Sequence, residues 1–447
     1  MLKIVVFVFA SVLILGCKPS IKPPTLRANL ATLDRVVYLG DSYLSGYQDA
    51  ALSEDGQVHS VAALLSRSFE NVEGGAIVQP ILPFVNGVGI NSKPWNGELN
   101  TSSILNNNVA DCTGELGLKP LKTEFAYDGS ASYVSYSGSS SALTDFSIPF
   151  VTSSEILSPF TGNAFDDMLN GGNLYYHRIA QTTLLKDAKN ANPTFAVIWA
   201  GMEDVFRYCR NGGEGTMPSV AQFEANLDSI LSVMVGTSQQ GVIANVPDLT
   251  AFPFYTLIPY DGVELTLSKA DSLNDLYHPA GATHINFFEG EGNAFTTVDV
   301  SNVFGVDQLG MGEYITLVAP LDSMKCVFMG TVVAIPEQYV LDSSEVLLIE
   351  QTISGYNAII SERASYYNIA TVDMNSYFNS VSAGIKWNGV DFNADFVSGG
   401  FFSLDGFHPT QKGNALITNE FIKAINVHYD ATLPTVPCLD CKGVLFP

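Results

Sequence analysis

Four short segments of the chain are almost continuously apolar and rich in β-branched residues. They read RVVYLG (35–40), FAVIWAG (195–201), GVIANVPD (241–248) and NIATVDM (368–374). A strand that packs on both faces has no polar side to present to water, so its pattern is a run rather than an alternation. These segments therefore predict strands of a parallel sheet that is buried on both faces.

Segments with the helical spacing of apolar residues lie between and after these strands. They cover residues 59–70, 219–235, 343–367 and 411–426. Ser219 precedes the second of them, and Ser343 with Ser344 opens the third, where a hydroxyl can cap free backbone N–H groups. The alternation of strands and helices predicts α/β layering.

Two stretches do not follow this alternation. Residues 86–150 are dense in glycine, serine and asparagine, and residues 249–335 mix aromatic residues with loop-forming ones. We interpret both as large insertions into one α/β domain at residues 33–430. A C-terminal tail at 431–447 follows this domain.

The first sixteen residues have the organisation of an export signal. Lys3 precedes an unbroken apolar run that ends in Gly16, just before Cys17, and the run is too short to cross a bilayer of about 30 Å comfortably. The sequence ILGC resembles a bacterial lipobox, which implies removal of residues 1–16 and lipidation of Cys17. The alternatives are an uncleaved anchor, or an ordinary signal beside an unrelated cysteine. Residues 17–32, rich in proline and basic residues, then predict a tether that holds the domain off a membrane.

These N-terminal features predict a lipid-anchored protein of the outer membrane. Residues 18–24, KPSIKPP, contain no acidic run. This favours the periplasmic face only slightly, so the side of the membrane stays open between the periplasm and the cell surface.

The chain is strongly acidic, with 45 aspartate and glutamate residues, 21 lysine and arginine residues and a formal net charge of −24. Such a surface repels phosphate backbones, so we exclude nucleic acid as a partner. One of the six cysteines is Cys17, and the odd number that remains cannot all pair internally. Four-cysteine zinc spacing is absent, and His278 and His284 are interpreted as structural or surface residues. The sequence therefore predicts neither a metal site nor a cofactor.

A small acid and a hydroxyl follow the first predicted strand directly, in GDSYLSG (40–46). A serine hydroxyl becomes nucleophilic when a base removes its proton and a third group orients that base. The segment SLDGFHP (403–409) offers both, because Asp405 and His408 lie close together on a turn that opens a helix. If the two segments meet at the carboxyl edge of the sheet, where ligands of α/β proteins bind, Ser42, His408 and Asp405 form a catalytic triad.

These two segments resemble the first and last blocks of the SGNH, or GDSL-type, hydrolase family. Further segments, including VQPILP, NPTFAVIWAGMEDV and GVIANVPDLTAFPF, resemble its long lipoprotein branch from Bacteroidetes-type bacteria, and the likeness covers most of residues 33–428. The resemblance implies a flavodoxin-like three-layer α/β/α sandwich and the hydrolysis of esters or thioesters. It also implies that Ser42 is the nucleophile and, through its N–H, an oxyanion donor, that His408 is the base, and that Asp405 orients it.

Two further oxyanion contributors depart from the family pattern. The third block, Gly-x-Asn-Asp, reads GMED here, so Gly201 and Asp204 match while Glu203 replaces the asparagine whose amide donates to the oxyanion. The loss of one oxyanion donor raises the activation free energy by about 3 to 4 kcal/mol. An ionised Glu203 would add repulsion, whereas a protonated one could donate. The glycine of the second block falls either at Phe150 in FSIPFVTS or at Gly138 in YSGSS.

Two functions follow from this pattern. The first is a lipid-anchored serine ester hydrolase of the cell envelope that acts on an acyl ester. The second is a catalytically weak or inactive lipoprotein with the hydrolase fold, acting as a binding or structural subunit of an outer-membrane protein complex. Turnover of short p-nitrophenyl esters that depends on Ser42 would distinguish the first from the second.

Overall fold

The computed structural model describes residues 25–90, 99–121, 136–159, 173–236 and 239–447. The predicted export signal, Cys17 and the first part of the predicted tether lie outside these residues. Within them, no helix combines the length and the apolar character needed to cross a membrane.

A five-stranded parallel sheet forms the centre of the fold. Its strands are β1 (Val36–Gly40), β2 (Asp145–Ser147), β3 (Phe195–Trp199), β4 (Gln240–Ala244) and β5 (Ala370–Val372). The spatial order is β2-β1-β3-β4-β5, which is the order of flavodoxin-like folds. Every residue of β1 and β3 is buried, as their continuous apolar runs predict.

Helices form a layer on each face of this sheet. On one face Val61–Glu70 packs against Gln411–His428, and on the other Val220–Met234 packs against Leu184–Asn190 and Ser343–Tyr367. The predicted three-layer α/β/α sandwich is therefore confirmed. The other α-helices in the described ranges are Ser42–Ser45, Glu54–Val58, Ser153–Leu157, Leu174–His177, Met202–Arg210, Pro253–Thr256, Leu267–Tyr277, Leu321–Cys326 and Met374–Ala383.

One predicted helix cap is confirmed and one is wrong. The side chain of Ser219 accepts a hydrogen bond from the N–H of Gln222, whose side chain accepts in return from the N–H of Ser219. The helix Ser343–Tyr367 is instead capped by Asp342. A carboxylate reaches two free N–H groups there and also interacts favourably with the helix dipole, so it takes the place predicted for the serines.

The strand β2 is absent from the sequence prediction because it falls in the segment 86–150, which we assigned to an insertion. It has only three residues, DFS, and they show no apolar run. Its buried Asp145 accepts hydrogen bonds from Ser147 N at 2.9 Å and from Gln79 Nε2 at 3.1 Å. These bonds replace the water that the carboxylate loses on burial. The first insertion therefore ends before β2.

The second insertion, 249–335, forms small antiparallel strand pairs and leaves the central sheet unextended. Two small apolar clusters stabilise it separately from the main core. The strand pairs that involve it are Val263–Leu265 with Gly290–Asn293, Thr296–Val298 with Val306–Gln308, and Tyr314–Ile315 with Val340–Leu341. Other short pairs are Gly89–Ile90 with Leu99–Asn100, Ile104–Asn106 with Lys119–Leu121, and Ile385–Trp387 with Val390–Phe392.

A disulfide between Cys112 and Cys326 joins the two insertions. Lys325, next to it, forms ion pairs with Asp111 and Glu115. Among the residues that the structure describes, the free cysteines are Cys209, Cys438 and Cys441. The described residues contain no cluster of His, Cys, Asp and Glu that could hold a metal ion.

The C-terminal tail packs against the domain. Leu433 and Cys438 are buried. Asn419 Nδ2, on the last helix, donates a hydrogen bond to the carbonyl oxygen of Val436 at 3.0 Å. The tail therefore belongs to the folded unit and can contribute to surfaces near its end.

Candidate active site

Ser42 is the first residue of a short helix at the carboxyl end of β1. The preceding Asp41 caps this helix, and its Oδ1 accepts a hydrogen bond from Tyr43 N at 3.1 Å. A Cβ atom on Gly40 would lie 2.4 Å from the carbonyl oxygen of Trp199, so only glycine lets β1 approach β3 this closely before the turn. The local sequence thus places Ser42 at the sheet edge where α/β proteins bind their ligands.

Asp405 and His408 form a hydrogen-bonded pair, with 2.8 Å between His408 Nδ1 and Asp405 Oδ2. Asp405 Oδ1 also accepts from the backbone N–H groups of His408 and Phe407, at 2.8 and 3.0 Å. Asp405 Oδ2 accepts a further bond from Ala50 N at 3.1 Å. The carboxylate is therefore fixed both by its own turn and by the loop that follows the Ser42 helix. With its Nδ1 proton directed at Asp405, the imidazole keeps Nε2 as its basic nitrogen.

The ionisation of Asp405 results from two opposing effects. Burial alone would raise the pKa of this carboxyl group, but the charge of His408 and hydrogen bonds from His408 and Phe407 lower the pKa below its ordinary value. Asp405 therefore stays a carboxylate at neutral pH and can stabilise a protonated imidazole.

His408 Nε2 is buried, and no group in the described part of the chain forms a hydrogen bond with it. Ser42 Oγ therefore makes no hydrogen bond to the imidazole in this structure. The two segments nevertheless meet, because the Tyr43 ring lies 5.4 Å from the imidazole and the Tyr43 hydroxyl donates to Phe407 O at 2.6 Å. The fold brings both chain ends to one sheet edge without forming the serine–histidine hydrogen bond.

Phe150, after β2, occupies the position at which the resemblance places a glycine. Its φ is +64°, a left-handed conformation that suits glycine and is rare for bulky side chains. The ring is 7% exposed and packs edge-on against Tyr47, with 4.8 Å between centroids. It lies 6.2 Å from the His408 ring, so it covers one side of the imidazole. Of the two candidate positions for the glycine of the second block, Phe150 lies beside His408. The alternative, Gly138, is exposed and lies before β2.

Glu203 is buried in the first turn of the helix Met202–Arg210. Its two carboxylate oxygens accept hydrogen bonds from Arg210, at 2.6 and 3.2 Å. The guanidinium carbon of Arg210 lies 4.8 Å from the centre of the Phe150 ring. Because both oxygens of Glu203 accept from a cation, this side chain does not replace the asparagine amide as a hydrogen-bond donor. The pair neutralises the charge of Glu203 and holds Phe150 in place.

Sequence reasoning did not identify Arg210, although a signal was present. In GMEDVFRYCR, Arg210 follows Glu203 by seven residues, which is two helical turns and therefore the same face of a helix. Arg207, one turn after Glu203, also approaches it, with 3.5 Å between Arg207 Nε and Glu203 Oε1. A buried acid with two arginines at this spacing indicates an ion-pair cluster.

Two further buried carboxyl groups lie beside Glu203. Burial raises the pKa of Asp41 well above its ordinary value, and the carboxylates of Glu203 and Asp204 add to this effect. Burial also raises the pKa of Asp204 to about 6, although Ser153 donates to it through its N–H at 2.7 Å and its hydroxyl at 2.5 Å. Burial and the neighbouring carboxylates therefore both favour the protonated form of Asp41.

We expect the protein to become more stable as the pH falls from 8 to about 5. Asp41 and Asp204 have raised pKa values in the folded chain, whereas an unfolded aspartate titrates near about 3.9. At a pH between the unfolded pKa and the raised folded pKa values, the folded state binds more protons than the unfolded state. The free energy of unfolding therefore increases as the pH decreases through this range. The lowered pKa of Asp405 acts in the opposite direction, but only below about pH 4, where its unfolded carboxyl group takes up a proton.

Differential scanning calorimetry between pH 8 and pH 5 tests this expectation. The variant Asp41→Asn mimics the neutral acid and should reduce the pH dependence of Tm. A Tm that stays constant or falls over this interval would contradict the assignment of raised pKa values.

Comparison with known proteins finds little. No family model matches this sequence, and no curated protein does. A crystal structure described as that of a "putative GDSL-like lipase" from Parabacteroides merdae ATCC 43184 has a TM-score of 0.34 and 11% sequence identity to this chain. The match covers 90% of this chain and 99% of the other. A likeness of this size says nothing about chemistry, so the geometry of the site itself carries the functional argument.

Proposed function

We propose that the protein is a serine ester hydrolase, held at the outer membrane by a lipid on Cys17. The observation that supports this best is the Asp405–His408 pair, whose outer nitrogen, Nε2, is buried without a partner. A buried polar atom without a hydrogen bond costs about 1–3 kcal/mol. The unpartnered atom is the one that would accept the serine proton, and a catalytic role is one reason for a protein to retain such a cost.

In the proposed reaction Ser42 Oγ attacks the ester carbonyl carbon while its proton passes to His408 Nε2. Asp405 stabilises the resulting imidazolium through Nδ1–H. The backbone N–H of Ser42, the first residue of this helix, donates to the oxyanion. His408 then protonates the leaving alcohol, and water releases the acyl group by the same steps. The hydrogen bond between Ser42 and His408 forms when substrate binds, as catalytic hydrogen bonds often do.

A second candidate is supported by the surroundings of the site. Phe150 and the Glu203–Arg210 pair stand where the resemblance implies two oxyanion contributors, and Ser42 and His408 are only 2% and 3% exposed. Under this alternative the protein is a catalytically weak or inactive subunit of an outer-membrane complex. The two insertions would then supply the partner surface.

Labelling with a fluorophosphonate distinguishes the two candidates. The chain from residue 18 onward contains every described residue, and a hydrolase should take up one label per chain. The variant Ser42→Ala should take up none, because the phosphorus bonds to Ser42 Oγ.

The variant Phe150→Gly separates a closed site from an inactive one. It removes the covering ring and suits the φ of +64°, so it should label faster than the wild type. Phe328→Gly is the matched control, since Phe328 also has a positive φ, +56°, but is 57% exposed in the second insertion. Labelling of the wild type or of Phe150→Gly supports the hydrolase, and absence of label from both supports the inactive subunit.

A further inference from the structure

Two cysteines of the C-terminal tail, Cys438 and Cys441, belong to one turn and have no role in the mechanism above. Residues Cys438–Asp440 form a 3₁₀ turn, and Cys441 N donates a hydrogen bond to Cys438 O at 3.2 Å. Residues three apart in such a turn lie on the same side, with about 6 Å between their Cα atoms. A disulfide joins Cα atoms that are about 4.4–6.8 Å apart. The backbone therefore already holds the two cysteines at the spacing that a disulfide needs.

Both thiols are packed into the main apolar core of the domain. Cys438 is 0% exposed and Cys441 is 9% exposed. Burial raises the pKa of both thiols, and a negative charge on Cys438 raises the pKa of Cys441 further. This effect requires the two sulfur atoms to be near one another. The described residues offer no set of His, Cys, Asp and Glu side chains that could hold a metal ion with them, so the pair is left with the chemistry of a dithiol.

The cysteine count fits a second disulfide. Cys112 and Cys326 are already joined. Disulfides persist where the surroundings oxidise thiols, so conditions that keep this bond also favour a bond between Cys438 and Cys441. From residue 18 onward, the two bonds would account for every cysteine except Cys209. Cys209 is completely buried, which explains how an odd cysteine stays a thiol.

The cysteine turn lies between two hydrogen-bonded contacts of the tail with the last helix, Gln411–His428. Before the turn, Val436 N donates to Asn419 Oδ1 at 2.7 Å, and Asn419 Nδ2 donates to Val436 O at 3.0 Å. After the turn, Lys412 N donates to Lys442 O at 3.0 Å. The N–H of Lys412 belongs to the first helical turn, where backbone N–H groups have no partner within the helix. The tail carbonyl therefore caps the last helix.

The capped end of this helix lies close in sequence to the candidate base. The helix begins at Gln411, three residues after His408. Its first side chain, Gln411 Nε2, donates to Asp55 Oδ2 at 2.7 Å, and Lys442 Nζ of the tail donates to the same oxygen at 2.9 Å. The tail, the start of the helix and the helix that carries Asp55 are thus bonded together after the cysteine turn.

We propose that Cys438 and Cys441 form a redox-sensitive pair whose disulfide locks the C-terminal tail onto the start of the last helix. A bond across the turn restricts the chain between the two contacts with the helix, so the capping carbonyl of Lys442 is held in place. The inference goes beyond the proposed function and does not depend on it, because neither the bond nor the lock requires Ser42 to react.

The bond forms by exchange with a small disulfide, for which oxidised glutathione is the probe. The thiolate of Cys441, the more exposed of the two, attacks one sulfur of the probe and displaces a glutathione thiolate, which takes up a proton. The thiolate of Cys438 then attacks Cys441 Sγ and displaces the second glutathione in the same way. Two protein thiols are oxidised to one disulfide, and one probe disulfide is reduced to two thiols.

Thiol counting tests the bond. The chain from residue 18 onward is equilibrated with oxidised and reduced glutathione and then alkylated in denaturant. One alkylated cysteine, Cys209, is expected, and the tryptic peptide of residues 424–442 should be two hydrogens lighter than its reduced form. Alkylation of Cys209, Cys438 and Cys441 together would overturn the inference. A glutathione adduct that stays on Cys441 would also overturn it, since Cys438 would have failed to displace it.

The variant Cys209→Ala is the control for the count. It keeps both cysteine pairs and should take up no alkyl group. Two alkyl groups on this variant, both in the peptide of residues 424–442, would show that the tail thiols remain unpaired and would overturn the inference.

Hydrogen exchange tests the lock. The amide of Lys412 should exchange at least about tenfold more slowly in the oxidised wild type than in Cys438→Ser/Cys441→Ser, because only the wild type holds its acceptor through a bonded turn. This variant leaves the Cys112–Cys326 bond in place, which a reducing agent would not. The amide of Gln222 is the matched control, since it lies in the first turn of another helix and is capped by Ser219. Equal exchange of Lys412 in both proteins, or an equal change at Gln222, would overturn the lock.

Discussion

Replacing Asp405 by asparagine is expected to lower kcat/KM for p-nitrophenyl butyrate by roughly 10⁴-fold. Asp405 Oδ2 faces His408 Nδ1 at 2.8 Å. An asparagine amide in this place would present N–H to the ring, and the imidazole would then carry its proton on Nε2. In that tautomer Nε2 is a donor and cannot accept the proton of Ser42. Steady-state kinetics of the purified variant measure the loss.

The fold should survive this change, so that the loss can be assigned to the tautomer. The asparagine Oδ1 can still accept from the backbone N–H groups of Phe407 and His408, which now bond to Asp405 Oδ1 at 3.0 and 2.8 Å. Of the backbone bonds to this side chain, only the one from Ala50 N to Oδ2, at 3.1 Å, is lost. Asp395→Asn is the matched control, since Asp395 is exposed and lies in a preceding loop. Equal activity of Asp405→Asn and the wild type would remove Asp405 from the mechanism.

Replacing Arg210 by methionine is expected to lower the free energy of unfolding by about 3–5 kcal/mol. Glu203 is 2% exposed and would be left as a buried charge without its bidentate partner. Methionine keeps much of the arginine stem, so the cost comes mainly from the carboxylate, which keeps only the longer contact with Arg207 Nε, at 3.5 Å from Oε1. Urea denaturation of both proteins at pH 7 gives the difference.

The double variant Glu203→Gln/Arg210→Met removes both charges and should recover most of this loss, because neither charge of the buried pair remains. The matched control is Arg363→Met, whose pairs with Glu224 and Asp228 involve carboxylates that are 37% and 45% exposed. Such a pair contributes about 0–1 kcal/mol. A double variant as unstable as Arg210→Met would show that packing of the arginine, and not charge pairing, stabilises the site.

The same pair changes what is expected of Glu203→Asn, the substitution that introduces the asparagine of the family that the sequence resembles. Taken alone, it leaves the Arg210 guanidinium buried beside Phe150 without a carboxylate, so a gain in turnover would be masked by instability. The informative comparison is therefore between the turnover of the single variant Arg210→Met and that of the double variant Glu203→Asn/Arg210→Met.

Much of the fold could be predicted because its signals are local. The strands β1, β3 and β5 lie within the continuous apolar segments, and β4 begins one residue before its segment. All the helices described as covering the sheet except Leu184–Asn190 overlap segments with the spacing of one apolar face. The strand β2 could not be found in this way, since its buried Asp145 depends on Gln79, a partner distant in sequence. Hydrophobic patterning detects a strand whose own residues are apolar. It misses a strand whose polar residues are buried through hydrogen bonds to residues elsewhere in the chain.

The candidate site likewise has features that adjacent residues determine and features that depend on distant ones. The sequence alone determined the glycine turn that carries Ser42 and the short spacing of Asp405 and His408, because a turn, a cap and a nearby hydrogen bond depend on adjacent residues. Only the tertiary structure decided that Phe150 adopts a left-handed backbone near His408, that Arg210 neutralises a buried Glu203, and that the C-terminal residues line a cavity together with Leu404. The contacts of Phe150 and of the C-terminal residues join segments that are far apart in the chain, whereas Glu203 and Arg210 lie on one helix and needed the fold only to bury them. Burial leaves a charge or a ring stable only where it finds a partner, and for the distant contacts no local pattern specifies that partner.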